Sequence, residues 1–178
     1  MRRLLPVIAA VLLLAGCGNW ARTGGRLEQD GRSLDLPAGW YRLKDVGYLL
    51  MTKDGPPLQS VTARRYPVDM PLPCTARTVS EGMLPAEVAE AVLDDLSFDE
   101  RIGHFEVLEN RPAPVAGKPG FRLSFVGRDR QDLAYRSVVY GVLAGRWLHL
   151  IRYDAPQRYY FDRDLAAFEA VAASIRLN

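Results

Sequence analysis

Two cysteines (Cys17 and Cys74) and two histidines (His104 and His149) are all that this chain of 178 residues carries of either type. Two widely separated histidines, with no second ligand at helical or loop spacing, provide neither a metal set nor a histidine general base with an obvious partner. His149 sits in Trp147-Leu148-His149-Leu150-Ile151, where alternation reads as a strand and the imidazole as a packed sheet residue. No G-x-S-x-G elbow occurs, and Ser80 in Val79-Ser80-Glu81-Gly82 lacks that pattern. P-loop and dinucleotide-binding glycine spacings are missing too. The densest acidic group, Asp94-Asp95 with Asp99-Glu100, lacks the alternating ligands and central glycine of a calcium loop, and reads as a solvated helix end. These absences argue against an enzyme, and the chain is expected to need no metal and no cofactor.

Long apolar runs are scarce as well. One stretch, Leu4 to Leu14, follows Arg2-Arg3 and is too short to span a bilayer, which takes about 20 residues. A basic start, a short apolar run and the small residues Ala15-Gly16 are the parts of a secretory signal over residues 1–16. Leu14-Ala15-Gly16-Cys17 resembles the lipobox of bacterial lipoproteins. That resemblance implies cleavage before Cys17, a diacylglycerol on its sulfur and an acylated amine. Several acyl chains make such an anchor effectively permanent. The following Gly18 and Asn19 contain no aspartate at the second position. By resemblance to envelope sorting rules, this directs the protein to the outer membrane, facing the periplasm of a Gram-negative cell. Without Arg2 and Arg3 the remaining chain has equal numbers of basic and acidic residues, so no net field draws nucleic acid, and no nucleic-acid partner is expected. With Cys17 lipidated, no internal disulfide is available, and Cys74 is expected to be a small buried hydrophobe.

The polar, glycine-bearing stretch to Gln29 reads as a tether, so that residues 17–30 form the lipidated cysteine and its linker and 31–178 a single domain. Within it, strands are predicted near 48–53 and 58–66 about the turn Asp54-Gly55-Pro56-Pro57, then at 105–110, 121–127, 135–143 and 146–153. Helices are predicted over 85–96, opening at Pro85 with Val88, Ala91, Val92 and Leu96 on one face, and over 162–173, with Leu165, Phe168, Val171 and Ala172 inward. Prolines 67, 71 and 73 keep the intervening segment irregular, and prolines 112, 114 and 119 mark a short connection. This order predicts an α+β domain: a single antiparallel sheet flanked by helices.

Leu34-Asp35-Leu36-Pro37-Ala38-Gly39-Trp40 resembles the opening of the PsbP-like superfamily. Tyr153-Asp154-Ala155-Pro156, Phe168-Glu169-Ala170-Val171 and Ser174-Ile175-Arg176-Leu177 are similar to its end. That superfamily includes the photosystem II extrinsic protein, Ran-binding Mog-type proteins and small envelope lipoproteins. The resemblance implies a binding or assembly module with no shared catalytic residues. Together with the anchor, it points to a membrane-attached module for an envelope protein partner. The alternative is a small-ligand binder with a pocket between sheet and helices, lined by Trp40, Trp147 and the tyrosines. The candidate binding residues are Trp40, Trp147, Arg158, Tyr159 and Tyr160. The last three come from Arg158-Tyr159-Tyr160-Phe161, within a C-terminal half rich in arginine and aromatics, the residue types enriched at interfaces.

Overall fold

The computed structural model describes residues 19–178. The expected signal peptide (1–16) and Cys17 lie outside the described residues. Eight strands form one antiparallel sheet in the order β1-β4-β5-β6-β10-β9-β8-β7, and three more form a second, β11-β3-β2. The strands are β1 (Trp20–Arg22), β2 (Gly25–Gln29), β3 (Arg32–Leu36), β4 (Tyr41–Leu43), β5 (Leu49–Thr52), β6 (Ser60–Pro67), β7 (Gly103–Val115), β8 (Lys118–Arg128), β9 (Ala134–Ala144), β10 (Trp147–Pro156) and β11 (Arg176–Leu177). The helices are α1 (Pro85–Ser97) and α2 (Tyr160–Ala173).

Two corrections follow. The expected single sheet is divided, because β3 pairs with β2 and β11 instead of extending the large sheet. The expected tether is mostly structured: Trp20–Arg22 pairs with β4, and Gly25–Gln29 pairs with β3. Both segments are polar because each lies on an edge, where one side faces water and apolar alternation is unnecessary.

β7 is also longer than predicted. It runs through Pro112 and Pro114 to Val115, pairing with β8 as far as Val115↔Lys118. Those prolines are tolerated because β7 is an edge strand, where a missing N–H breaks no second ladder. The hairpin closes at Ala116-Gly117, both with positive φ (51° and 72°), the backbone that matches right-handed strand twist.

The large sheet is buried on both faces. On one, Val138, Val142, Ile151 and Tyr153 pack against Phe161, Phe168 and Val171 of α2 and against Leu34 and Leu36 of the small sheet. On the other, Phe121, Leu123, Phe125, Val139 and Leu148 meet Val88, Ala89, Ala91 and Val92 of α1. Each helix thus buries its predicted stripe, at about 25 cal/mol per Å2 of apolar surface removed from water. Pro85 starts α1, and the Leu84 N–H donates to Glu87 Oε2 at 2.7 Å.

Candidate functional site

α1 lies mainly over β7, β8 and β9; on the same face it reaches β10 at Leu148 but leaves Thr62 and Arg64 of β6 and Arg152 of β10 uncovered. The segment 68–79 partly closes this gap. Its prolines bar regular structure, and it folds on itself through Asp69 N–H to the Val79 carbonyl (2.8 Å) and Leu72 N–H to the Arg77 carbonyl (2.8 Å). Asp95, near the end of α1, ties it down: Oδ1 accepts the N–H groups of Cys74 (2.7 Å) and Thr75 (2.9 Å). What remains between helix, segment and sheet is a groove of about 570 Å3. Thr62, Arg64, Tyr66, Leu150 and Arg152 form its floor, and Val92, Leu96 and Ile102 its apolar wall.

Two of the groove's arginines are paired with acids, while Arg64 lies over the Tyr48 ring. Arg152 Nη2 meets Asp154 Oδ1 at 2.6 Å, and the Ser137 hydroxyl donates to the same oxygen. Arg101 grips Asp99 with Nε to Oδ1 (2.8 Å) and Nη2 to Oδ2 (2.6 Å), which holds the Asp99 carboxyl below its usual range. A smaller cavity of about 200 Å3 adjoins this region and shares Arg101, Arg152 and Asp154 with the groove. Such a lining offers apolar contact, fixed donors and fixed acceptors, the mixture that recognises a peptide segment or a polar organic molecule.

Asp95 and Asp99 are therefore not a solvated helix end. Both are buried, because one anchors a backbone segment and the other an arginine. Cys74 is exposed at the groove's rim rather than buried. Partial burial, then Asp95 and Asp99, push its thiol pKa up, so it is a poor nucleophile at neutral pH.

The sequence-derived binding residues do not converge. Trp40 is only 3% exposed and belongs to the α2-side core. Trp147 is covered by the Arg65 guanidinium, 4.2 Å from its ring. Arg158 and Tyr159 are exposed before α2, and Tyr160 is half-buried and edge-on to Tyr159. The expected pocket lined by Trp40 and Trp147 is thus corrected: neither tryptophan reaches the groove, whose aromatic lining is Tyr66 and Tyr135. Much of the arginine and aromatic wealth is spent within the chain, with Arg64 over Tyr48 (3.8 Å), Arg136 over Phe161 (4.6 Å) and Arg163 over Tyr160 (4.9 Å). The groove floor did leave a signal. Strand alternation places Leu148, Leu150 and Arg152 on one face of β10, opposite Trp147, His149 and Ile151.

Neither histidine lines the groove. His104 is exposed at the start of β7, and His149 is half-buried on the opposite sheet face. Burial, then Arg32 and Arg65, lower the His149 pKa from 6.5 to about 4, and its Nδ1 has no partner among the described residues. The unfolded chain therefore binds a proton more readily than the folded one. Stability should be full above pH 6.5 and fall by about 2–3 kcal/mol as pH drops toward 4. Urea midpoints taken across that window check this, and His149→Gln should flatten the slope.

The described residues form an antiparallel α+β fold with helices on both faces of the large sheet. No protein-family model matches the chain, and no curated protein matches it in sequence. Solved structures do match. Cyanobacterial PsbP (CyanoP) from Synechocystis superposes with a TM-score of 0.56 at 11% identity, over 92% of this chain and 95% of that one. The Ran-binding protein Mog1p of Saccharomyces cerevisiae gives 0.59 at 9%, over 88% and 96%. LpqN of Mycobacterium tuberculosis, described as involved in cell envelope biogenesis, gives 0.57 at 12%, over 96% of both chains. At such identities the likeness establishes the fold.

Proposed function

We propose that this protein is a lipid-anchored module of the bacterial envelope, non-enzymatic, that holds a segment of an envelope protein partner in the groove beside α1. The observation that carries this reading is the groove over part of β6 and β10, walled by α1 and the Asp95-pinned segment. Its paired charges and apolar wall suit a peptide better than a reaction. Two neighbours of the same fold fit: one is a Ran-binding protein, and the other is involved in envelope biogenesis. The location comes from Leu14-Ala15-Gly16-Cys17, and Gly18-Asn19 favours the outer membrane on its periplasmic side. No helix among the described residues is long and apolar enough to cross a membrane.

A specific observation favours a second reading, a small organic ligand. The groove volume lies within the roughly 300–1,000 Å3 of small-molecule sites. Native mass spectrometry of the purified protein separates the two, since a bound metabolite adds its mass.

Cys17→Ser should leave unprocessed precursor or a soluble form, read by membrane fractionation and intact mass. Unchanged fractionation and mass would contradict the anchor. Leu150→Arg places a charge on the groove floor and should abolish recovery of the crosslinked partner by the full-length protein. Recovery equal to wild type would contradict the groove as the binding site.

A further inference from the structure

We propose that the β1–β4 edge of the large sheet rests on the anionic phospholipid headgroups of the membrane that holds the Cys17 lipid. This rests on the lipid anchor proposed above. Only Gly18 and Asn19 separate Cys17 from Trp20, the first residue of β1. A fully extended chain advances at most about 3.6 Å per residue, so the Cys17 Cα lies within about 11 Å of β1.

The attachment is fixed in direction as well as in reach. The Lys44 N–H donates to the Asn19 carbonyl at 2.7 Å, and Trp20 pairs with Leu43. The chain therefore enters the sheet at a hydrogen-bonded position, and the edge cannot swing away on a long linker.

The side chains at this edge match a headgroup layer. Arg22 shares one face of this edge with Trp20 and Tyr41, Arg42 and Lys44 lie on the other, and none of the three is ion-paired among the described residues, although the mature chain as a whole carries no net charge. Trp20 and Tyr41 are the amphipathic aromatics that settle at the membrane–water boundary, and Tyr41 is exposed with Arg22 at 6.0 Å from its ring centre. Basic residues are drawn to anionic lipid only within a short distance of the surface, which the anchor enforces. At about 4.8 Å per strand, β6 and the groove floor begin about 14 Å from the anchored edge, while β7 lies about 34 Å away. A partner in the groove would thus be met close to the membrane.

The test uses the full lipidated protein in phosphatidylethanolamine–phosphatidylglycerol vesicles, with Cys74→Ser and a fluorophore placed at Asp45→Cys or, for comparison, at Leu108→Cys on β7. A quencher carried at headgroup depth should dim position 45 several-fold more than position 108. Reversing Arg22, Arg42 and Lys44 to glutamate should reduce that quenching while the protein stays with the vesicles. Equal quenching at both positions, in protein whose mass includes the diacylglyceryl group, overturns the contact and leaves the anchor standing. A mass without the lipid overturns both.

Discussion

Asp164→Ala is expected to cost the domain about 3 kcal/mol, because it removes a buried carboxylate that Gln59, Lys53 and Arg163 all bind. Asp164, in the first turn of α2, is 3% exposed, and Gln59 between β5 and β6 is fully buried. Gln59 Nε2 donates to Asp164 Oδ2 (3.2 Å) and to Asp54 Oδ2 (2.9 Å). Lys53 Nζ reaches Asp164 Oδ1 at 3.1 Å, and Arg163 bridges Asp164 and Asp54. Lys53 stays half in water and tolerates losing its partner, whereas the fully buried Gln59 amide would keep only its bond to Asp54. Asp164→Asn keeps an acceptor and should cost roughly half as much. The Asp164 carboxyl is held below its usual 3.8 although burial opposes this, through hydrogen bonds from Arg163, Lys53 and Gln59. Its stabilisation is therefore present above that value and lost as pH falls below it. Asp164→Asn should flatten the acid limb there, in a window distinct from that of His149. Urea denaturation at neutral and acid pH measures both.

Gly141→Val should leave no cooperatively folding domain, and Gly141→Ala should cost about 2–3 kcal/mol. Gly141 of β9 faces Phe121 of β8, and any Cβ there would overlap the Phe121 ring. That ring is 1% exposed and cannot retreat into water. Phe121→Ala alone removes a core aromatic and should cost about 3–5 kcal/mol. Adding Gly141→Ala to Phe121→Ala should then cost little more, since the space is vacant. This non-additivity, read from denaturation midpoints of the four proteins, is the mark of direct steric coupling.

The elements legible in the sequence were those with a locally patterned buried face. Phe121-Leu123-Phe125, the alternation of β9 and β10, and the stripes of α1 and α2 all announce a buried face. Trp20–Arg22 and Gly25–Gln29 do not, because each is held by a partner strand distant in sequence or across a turn and exposes one edge to water. Pro112 and Pro114 pointed to a break in β7, yet an edge strand absorbs them. The groove was illegible for a different reason. Its floor was visible in the alternation of β10, but the cavity exists because α1 covers only part of the sheet, a property of helix placement rather than of any residue pattern. Asp95 shows the same limit: its carboxylate is plain in the sequence, but its partners are the N–H groups of Cys74 and Thr75, about twenty positions earlier. The tryptophans misled because a large aromatic beside arginine is as useful within a core as at an interface.

Site-specific photo-crosslinking in intact cells tests the groove most directly. A photo-reactive amino acid at position 150 sits on the groove floor, and one at position 166 sits on the exposed face of α2, across the sheet. A discrete protein adduct from position 150 and none from position 166 is the predicted result. No adduct at 150, or the same adducts from both positions, would contradict the groove as a partner site.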